Sequence, residues 1–239
     1  MPKSWTNALH SYFYCADLYR YRNAHKYPKY FKSKSADRQS TAIFEDRFRS
    51  KCGSELEVWY EVTFWKMYSM KGRGQYQTDE AIQKILTAKN TAKCLTLLAD
   101  DFISHWSDPI RLNALRAGLG MISKAKVMAL PLTFVSFRDP YNFPMIDTVS
   151  ARWINKHLLA HNRPGRPQLT KFATVKRTKS GYSVVRHPDM QSYIHWVDWC
   201  RWVRDRLNSS GDTGIDWRAR DVEMAVFTAQ QDGLALNVL

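Results

Sequence analysis

Asp147 closes an apolar run, Phe143-Pro144-Met145-Ile146, and precedes Val149, Trp153, Ile154 and Leu158, which recur at helical spacing. A carboxylate is therefore predicted where a helix begins, at the positive end of its dipole. In that place it can cap the helix by accepting its free amides, or it can turn toward a ligand, stabilise positive charge and take a proton. Upstream, Leu115-Arg116-Ala117-Gly118-Leu119-Gly120-Met121-Ile122-Ser123-Lys124-Ala125-Lys126 carries two glycines. The pattern predicts a helix ending near Ala117, a turn, and a second amphipathic helix. Such a turn bares backbone N–H groups at a helix start, which suits a phosphate, although an ordinary connection uses the same residues.

Gly118-Leu119-Gly120, followed within one helix and a loop by Pro144-Met145-Ile146-Asp147, resembles the two motifs of the helix-hairpin-helix DNA glycosylases. The likeness covers roughly residues 95 to 160. It implies a Gly-hydrophobic-Gly hairpin whose amides grip a DNA backbone, with a monovalent cation held by nearby carbonyls. It implies that Asp147 is the catalytic carboxylate, and that Arg152 lies along the DNA as an arginine commonly does there. A bifunctional member also uses a lysine after the hairpin, whose amine attacks C1′ and forms a Schiff base. Lys124 is the best match, and Lys126 competes with it. Two departures stand out: Lys124 lies four residues past Gly120, where two is usual, and Phe137–Asn142 lengthens the path to Asp147. Tyr141 and Phe143, just ahead of the aspartate, are candidate walls of a base pocket, with core packing as their alternative use.

The elements expected to position these residues are almost all helical. Residues 4 to 24 read as a first helix, Glu55 to Met70 as one with a tryptophan stripe that belongs to a core, and 79 to 88, 91 to 105 and 108 to 117 as three more. Thr78 is the expected cap of the first of these three. Residues 190 to 207 form a large helix burying Ile194, Trp196, Val197, Trp199, Val203 and Leu207, and a closing helix follows Asp216. The fold class predicted is all-α, a single domain of two helical lobes, with a middle lobe of about 78–160 and the terminal segments forming the other. A short β-hairpin insertion is expected near 165–186, turning at Lys179-Ser180-Gly181.

Charge points to the partner. The 239 residues hold 36 Lys and Arg against 22 Asp and Glu, a net +14, which in a folded chain favours a polyanion. Two stretches concentrate it. From Leu18 to Ala36, Arg20, Arg22, Lys26, Lys29, Lys32 and Lys34 alternate with tyrosines and no acid intervenes. From Thr148 to Pro188, nine bases including Lys171, Lys176, Arg177 and Lys179 again face no acid, as in an insertion lying on DNA or in a disordered basic loop. No apolar run approaches the roughly 20 residues of a spanning helix, and no signal segment opens the chain, so a cytoplasmic monomer is expected. Cys15, Cys52, Cys94 and Cys200 are scattered without a Cys-x-x-Cys pair, so reduced thiols are expected, with neither a zinc site nor the iron-sulfur cluster that many such glycosylases carry.

Three readings follow. The first is a glycosylase removing a damaged or modified base after flipping it, in repair or in defence against phage DNA with hypermodified bases. The second is a catalytically silent helix-hairpin-helix DNA-binding module. The third is an RNA-binding protein working through the aromatic and basic N-terminal segment.

Overall fold

The computed structural model describes residues 2–14, 16, 37–50, 56–68, 91–120, 128–175, 177–178, 181–182, 185–186, 189–211 and 214–237. Among them the chain is mostly helical: α1 Pro2–His10, α2 Arg38–Ser50, α3 Leu56–Tyr68, α4 Thr91–Ser104, α5 Pro109–Gly120, α6 Ala129–Arg138, α7 Thr148–His161, α8 Met190–Ser209 and α9 Ala219–Asp232. Two strands of two residues each, β1 Arg177–Thr178 and β2 Gly181–Tyr182, pair antiparallel with Arg177 opposite Tyr182. They fall inside the segment where a short hairpin is expected.

The chain forms two compact units, one of residues 1–12, 127–132 and 139–239, the other of 13–126 and 133–138. This division departs from the expected one. α7, expected in a middle lobe, packs with the C-terminal helices, because the buried Trp153 of α7 meets Trp199 of α8 with ring centroids 5.8 Å apart.

In the first unit α9 is the central element. Every residue from Ala219 to Ala229 is buried, so the helix is enclosed on all sides by α1, α7 and α8. A helix without a polar face must be surrounded. Gly233 stops it in the left-handed conformation, φ 70°, which glycine adopts without steric cost. α1 ends at His10, far short of residue 24. The amide of Tyr12 bonds back to Leu9 O and its ring turns inward against Phe227, 6.0 Å between centroids, so core packing bends the chain where propensity would extend the helix. Trp5 donates from its indole to Asn237 O (2.9 Å), joining the two ends of the chain.

The acid-free stretch after α7 is pinned. The Asn162 side chain accepts from Leu169 N (2.7 Å) and donates to Leu169 O (2.8 Å); Asn155 does the same to Phe172 at 2.8 and 3.0 Å. Buried Asp189 accepts from the hydroxyl and the amide of Thr174 and from Arg186 N. Side chains that pair both polar groups of a residue substitute for a strand. Residues 162–175 are thus an anchored loop carrying exposed Arg163 and Lys171, not a disordered one.

His161 sits in the same unit, buried between Trp153 and Trp199 at centroid distances of 4.9 and 5.5 Å. Burial, with the nearby His157, Arg166 and Arg163 charges, pulls its pKa down to about 4. The folded pKa is thus below the unfolded value near 6.5, and the unfolded chain binds the extra proton. The contribution of His161 is present above pH 6.5 and is lost as pH falls from 6.5 toward 4. Urea midpoints are expected to drop over that window, and His161→Phe, which keeps the ring contacts, should flatten part of the drop. A slope unchanged in the variant refutes the assignment.

The second unit is built on α3, buried nearly all round, with Val58, Trp59, Val62, Phe64 and Trp65 inside. The Trp59 ring lies tilted against that of Phe134 of α6 (centroids 4.1 Å apart) and donates to Thr96 Oγ1 of α4 (3.1 Å), and Trp65 meets Phe137 edge-on at 4.9 Å. The tryptophan stripe is core, as its spacing implies. Arg138 of α6 forks onto both Asp100 oxygens at 2.7 and 3.1 Å. The helix predicted at 79–88, with Thr78 as its cap, and the basic N-terminal segment Arg20–Lys34 lie outside the described residues.

Candidate functional site

The segment leading to Asp147 turns at 140–142, where Phe143 N bonds back to Asp139 O (3.0 Å), and is tied by several hydrogen bonds. Ala219 N and Arg220 N donate to Tyr141 O and Pro140 O, each at 3.0 Å. Arg204 Nη1 donates to Tyr141 O (2.8 Å) and Arg201 Nε to Asn142 O (2.9 Å). Tyr193 Oη donates to Pro144 O (3.1 Å) and Trp196 Nε1 to Met145 O (2.9 Å). Burial pushes the Tyr193 phenol far above its ordinary pKa, so it remains a neutral donor. Four residues of α8 and the first turn of α9 therefore hold the carbonyls of Pro140, Tyr141, Asn142, Pro144 and Met145.

The last link is Asp147 itself. Its backbone is extended, φ −139° and ψ −176°, and its Oδ1 accepts from Val149 N (2.8 Å) and Ser150 N (2.9 Å), capping α7. Its other oxygen, Oδ2, accepts no hydrogen bond from the described residues, and the residue is half-buried. Ser150, fully buried, sends its hydroxyl on to Glu223 Oε1 of α9 (3.2 Å), and Glu223 pairs with Arg220 in the same interior. One oxygen is fixed and one is uncommitted, on a backbone that cannot drift without breaking several hydrogen bonds.

Of the other residues singled out by type and spacing, Tyr141 and Phe143 lie on this segment. The Arg204 guanidinium covers the Tyr141 ring at 4.3 Å and that of Arg201 covers Phe143 at 4.9 Å. Tyr141 is exposed and available to a ligand; Phe143 is 1% exposed, so its ring is core packing and no open pocket wall. Arg152 is half-buried on α7, and Lys171 is exposed on the anchored loop, its carbonyl accepting from Ser192 Oγ at 3.0 Å. Arg177 lies in β1, its side chain outside the described residues, as are Lys176 and Lys179 entirely.

The glycine stretch departs from expectation. α5 runs on through Gly120, so Gly118, Leu119 and Gly120 stand inside its last turn, where amides donate to carbonyls four residues back. A Cβ on Gly118 would come within 2.9 Å of Leu95 Cδ2 and of Leu98 Cδ1 on α4. The glycine lets two helices approach closely, which explains it without a phosphate. α6 begins at Ala129, and Lys124 and Lys126 lie in 121–127, outside the described residues.

The residues missed from sequence are Ser150, Tyr193, Trp196, Arg201, Arg204, Arg220 and Glu223. Tyr193, Trp196 and Arg204 were legible only as helix positions, since nothing in their spacing names a distant carbonyl as partner. No group of three or more His, Cys, Asp or Glu among the described residues could hold a metal, Cys94 and Cys200 are free, and no helix there is long and apolar enough to cross a membrane. Comparison of the chain with family models, with curated proteins and with solved structures finds no match.

Proposed function

We propose that this chain is a DNA glycosylase in which Asp147 acts on the sugar of a flipped nucleotide. The observation that carries the reading is the divided carboxylate: Oδ1 is spent on two amides of α7, while Oδ2 takes no hydrogen bond from the described residues. A carboxylate held rigidly in advance costs no reorganisation when positive charge develops beside it. As the C1′–N bond breaks, its electron pair leaves with the base and the sugar becomes oxocarbenium-like. Asp147 stabilises that state, then takes a proton from the water that attacks C1′, leaving an abasic site and a free base.

The net charge of +14 and the bases presented on the anchored loop after α7 support duplex DNA as the partner. In this reading the glycine stretch at the end of α5 belongs to a helix-hairpin-helix grip on the duplex, and the protein works as a monomer. Lys124, or Lys126 in competition, is the candidate amine for an added lyase step.

The test is incubation with a panel of duplexes carrying oxidised purines, alkylated bases, mismatched uracil or thymine, and hypermodified bases, scored for alkali-labile abasic sites. At least one duplex is expected to be processed, and its chemistry separates housekeeping repair from defence against modified phage DNA. Processing of none overturns the enzyme reading. The capping bonds of Asp147 favour one rival, a silent DNA-binding module, which predicts binding without abasic sites. Borohydride trapping on the same panel should give an adduct lost in Lys124→Ala or Lys126→Ala if lyase chemistry occurs.

Duplex affinity is expected to fall with a log-log salt slope of about −4.5 if roughly five phosphates are neutralised. Fluorescence anisotropy of a labelled duplex at several salt concentrations measures it, and a slope near zero contradicts a phosphate-contacting surface.

A further inference from the structure

We infer that the buried Arg220–Glu223 pair of α9 is a positioning device that acts through Ser150 to orient the Asp147 carboxylate. The inference rests on Asp147 being the acting carboxylate. Three observations converge on it. First, Ser150 has two bonds that join the helix start to the interior: its amide donates to Asp147 Oδ1 at 2.9 Å and its hydroxyl to Glu223 Oε1 at 3.2 Å. Any tilt of the first turn of α7 that reoriented the aspartate would also strain the hydroxyl link.

Second, the same turn of α9 holds the other end of the segment. Arg220 N donates to Pro140 O and Ala219 N to Tyr141 O, both 3.0 Å, while the Arg220 side chain pairs with Glu223. One helix start thus fixes residues 140–141 by its backbone and residue 150 by a side chain, and Asp147 lies between these two attachments. Third, the pair is expensive where it stands. Arg220 and Glu223 are each 1% exposed, and taking two charges out of water is commonly no better for stability than filling the same space with apolar side chains. The carboxylate, unlike an apolar side chain, offers an acceptor to Ser150 in one direction only, because the ion pair fixes its other oxygen.

Ser150→Ala is the decisive variant: it keeps the ion pair, favours the helix and removes only the hydroxyl link. Amide hydrogen exchange by NMR at positions 149 and 150, the two amides bonded to Asp147, is expected to quicken at least tenfold, with the thermal midpoint little changed. Arg220→Met/Glu223→Leu should do the same, and so should Arg220→Met/Glu223→Gln, in which the amide oxygen at 223 can still accept from Ser150 but no ion pair fixes its direction. On whichever duplex of the panel is processed, single-turnover excision by Ser150→Ala should fall about tenfold while the duplex Kd stays unchanged, a split that a general loss of structure would not produce. Exchange at the wild-type rate in Ser150→Ala overturns the inference, and so does quickened exchange with undiminished excision. If exchange quickens but the wild-type protein processes no duplex, the glycosylase reading fails while the control of the carboxylate by Ser150 stands. Should either double variant not fold, Ser150→Ala decides alone.

Discussion

Asp147→Asn is expected to lower single-turnover excision by about 10²- to 10⁴-fold, the range for losing a general base or a preorganised charge at the reacting centre. The fold should survive almost unchanged. Asparagine caps helices about as well as aspartate, and its side-chain oxygen can keep the bonds from Val149 N and Ser150 N. What is lost is the negative charge and the uncommitted Oδ2. Asp147→Ala makes the converse separation, since it also removes the cap and should cost about 1 kcal/mol of stability on top of the activity. Paired measurement of excision and of urea unfolding in both variants distinguishes the two uses of one carboxyl group. Wild-type excision by the Asn variant, together with destabilisation of the Ala variant, would reduce Asp147 to a cap.

The second large effect concerns stability of the unit built on α3. Glu61 is 2% exposed and receives a fork from Arg47 of α2, with Nε to Oε2 at 2.8 Å and Nη2 to Oε1 at 2.6 Å. Arg47 keeps 30% of its side chain in solvent, so the pair bridges the interior and the surface. Arg47→Met leaves a carboxylate buried without its main partner, which typically costs about 3–5 kcal/mol; the lower end applies because water reaches the rim. Glu61→Gln should cost less, because the amide oxygen still accepts from Arg47. Arg47→Met with Glu61→Leu should recover most of the loss, because the cost of the single change lies in the stranded charge. Chemical denaturation of the three variants measures this, and a single Arg47→Met variant as stable as wild type refutes it.

Some of this architecture was plain in residue order. The spacing of Val58, Trp59, Val62 and Trp65 marks a core helix, and they are core. The run of apolar residues from 190 to 207 marks a long helix, and α8 spans Met190–Ser209. Asp147 ahead of periodic apolar residues marks a helix start, and it caps α7. These are local rules: amide geometry and the 3.6-residue period act over one or two turns, so neighbours in sequence suffice to state them. The end of α1 at His10 and the continuation of α5 through Gly120 broke the same rules, because Tyr12 and Gly118 answer to residues far along the chain, Phe227 in one case and Leu95 with Leu98 in the other.

By itself, then, residue order determined the helical class, the strong positive charge and the place of one carboxylate at the mouth of a helix. Only the tertiary structure decided what holds that carboxylate: the carbonyls of Pro140, Tyr141, Asn142, Pro144 and Met145 tied by α8 and α9, and Ser150 joined to Glu223 seventy-three positions away. The physical reason is that a capping bond closes within three residues, whereas a buried acid, an indole N–H or a guanidinium finds its partner only after the helices have packed. Sequence spacing carries no trace of that pairing.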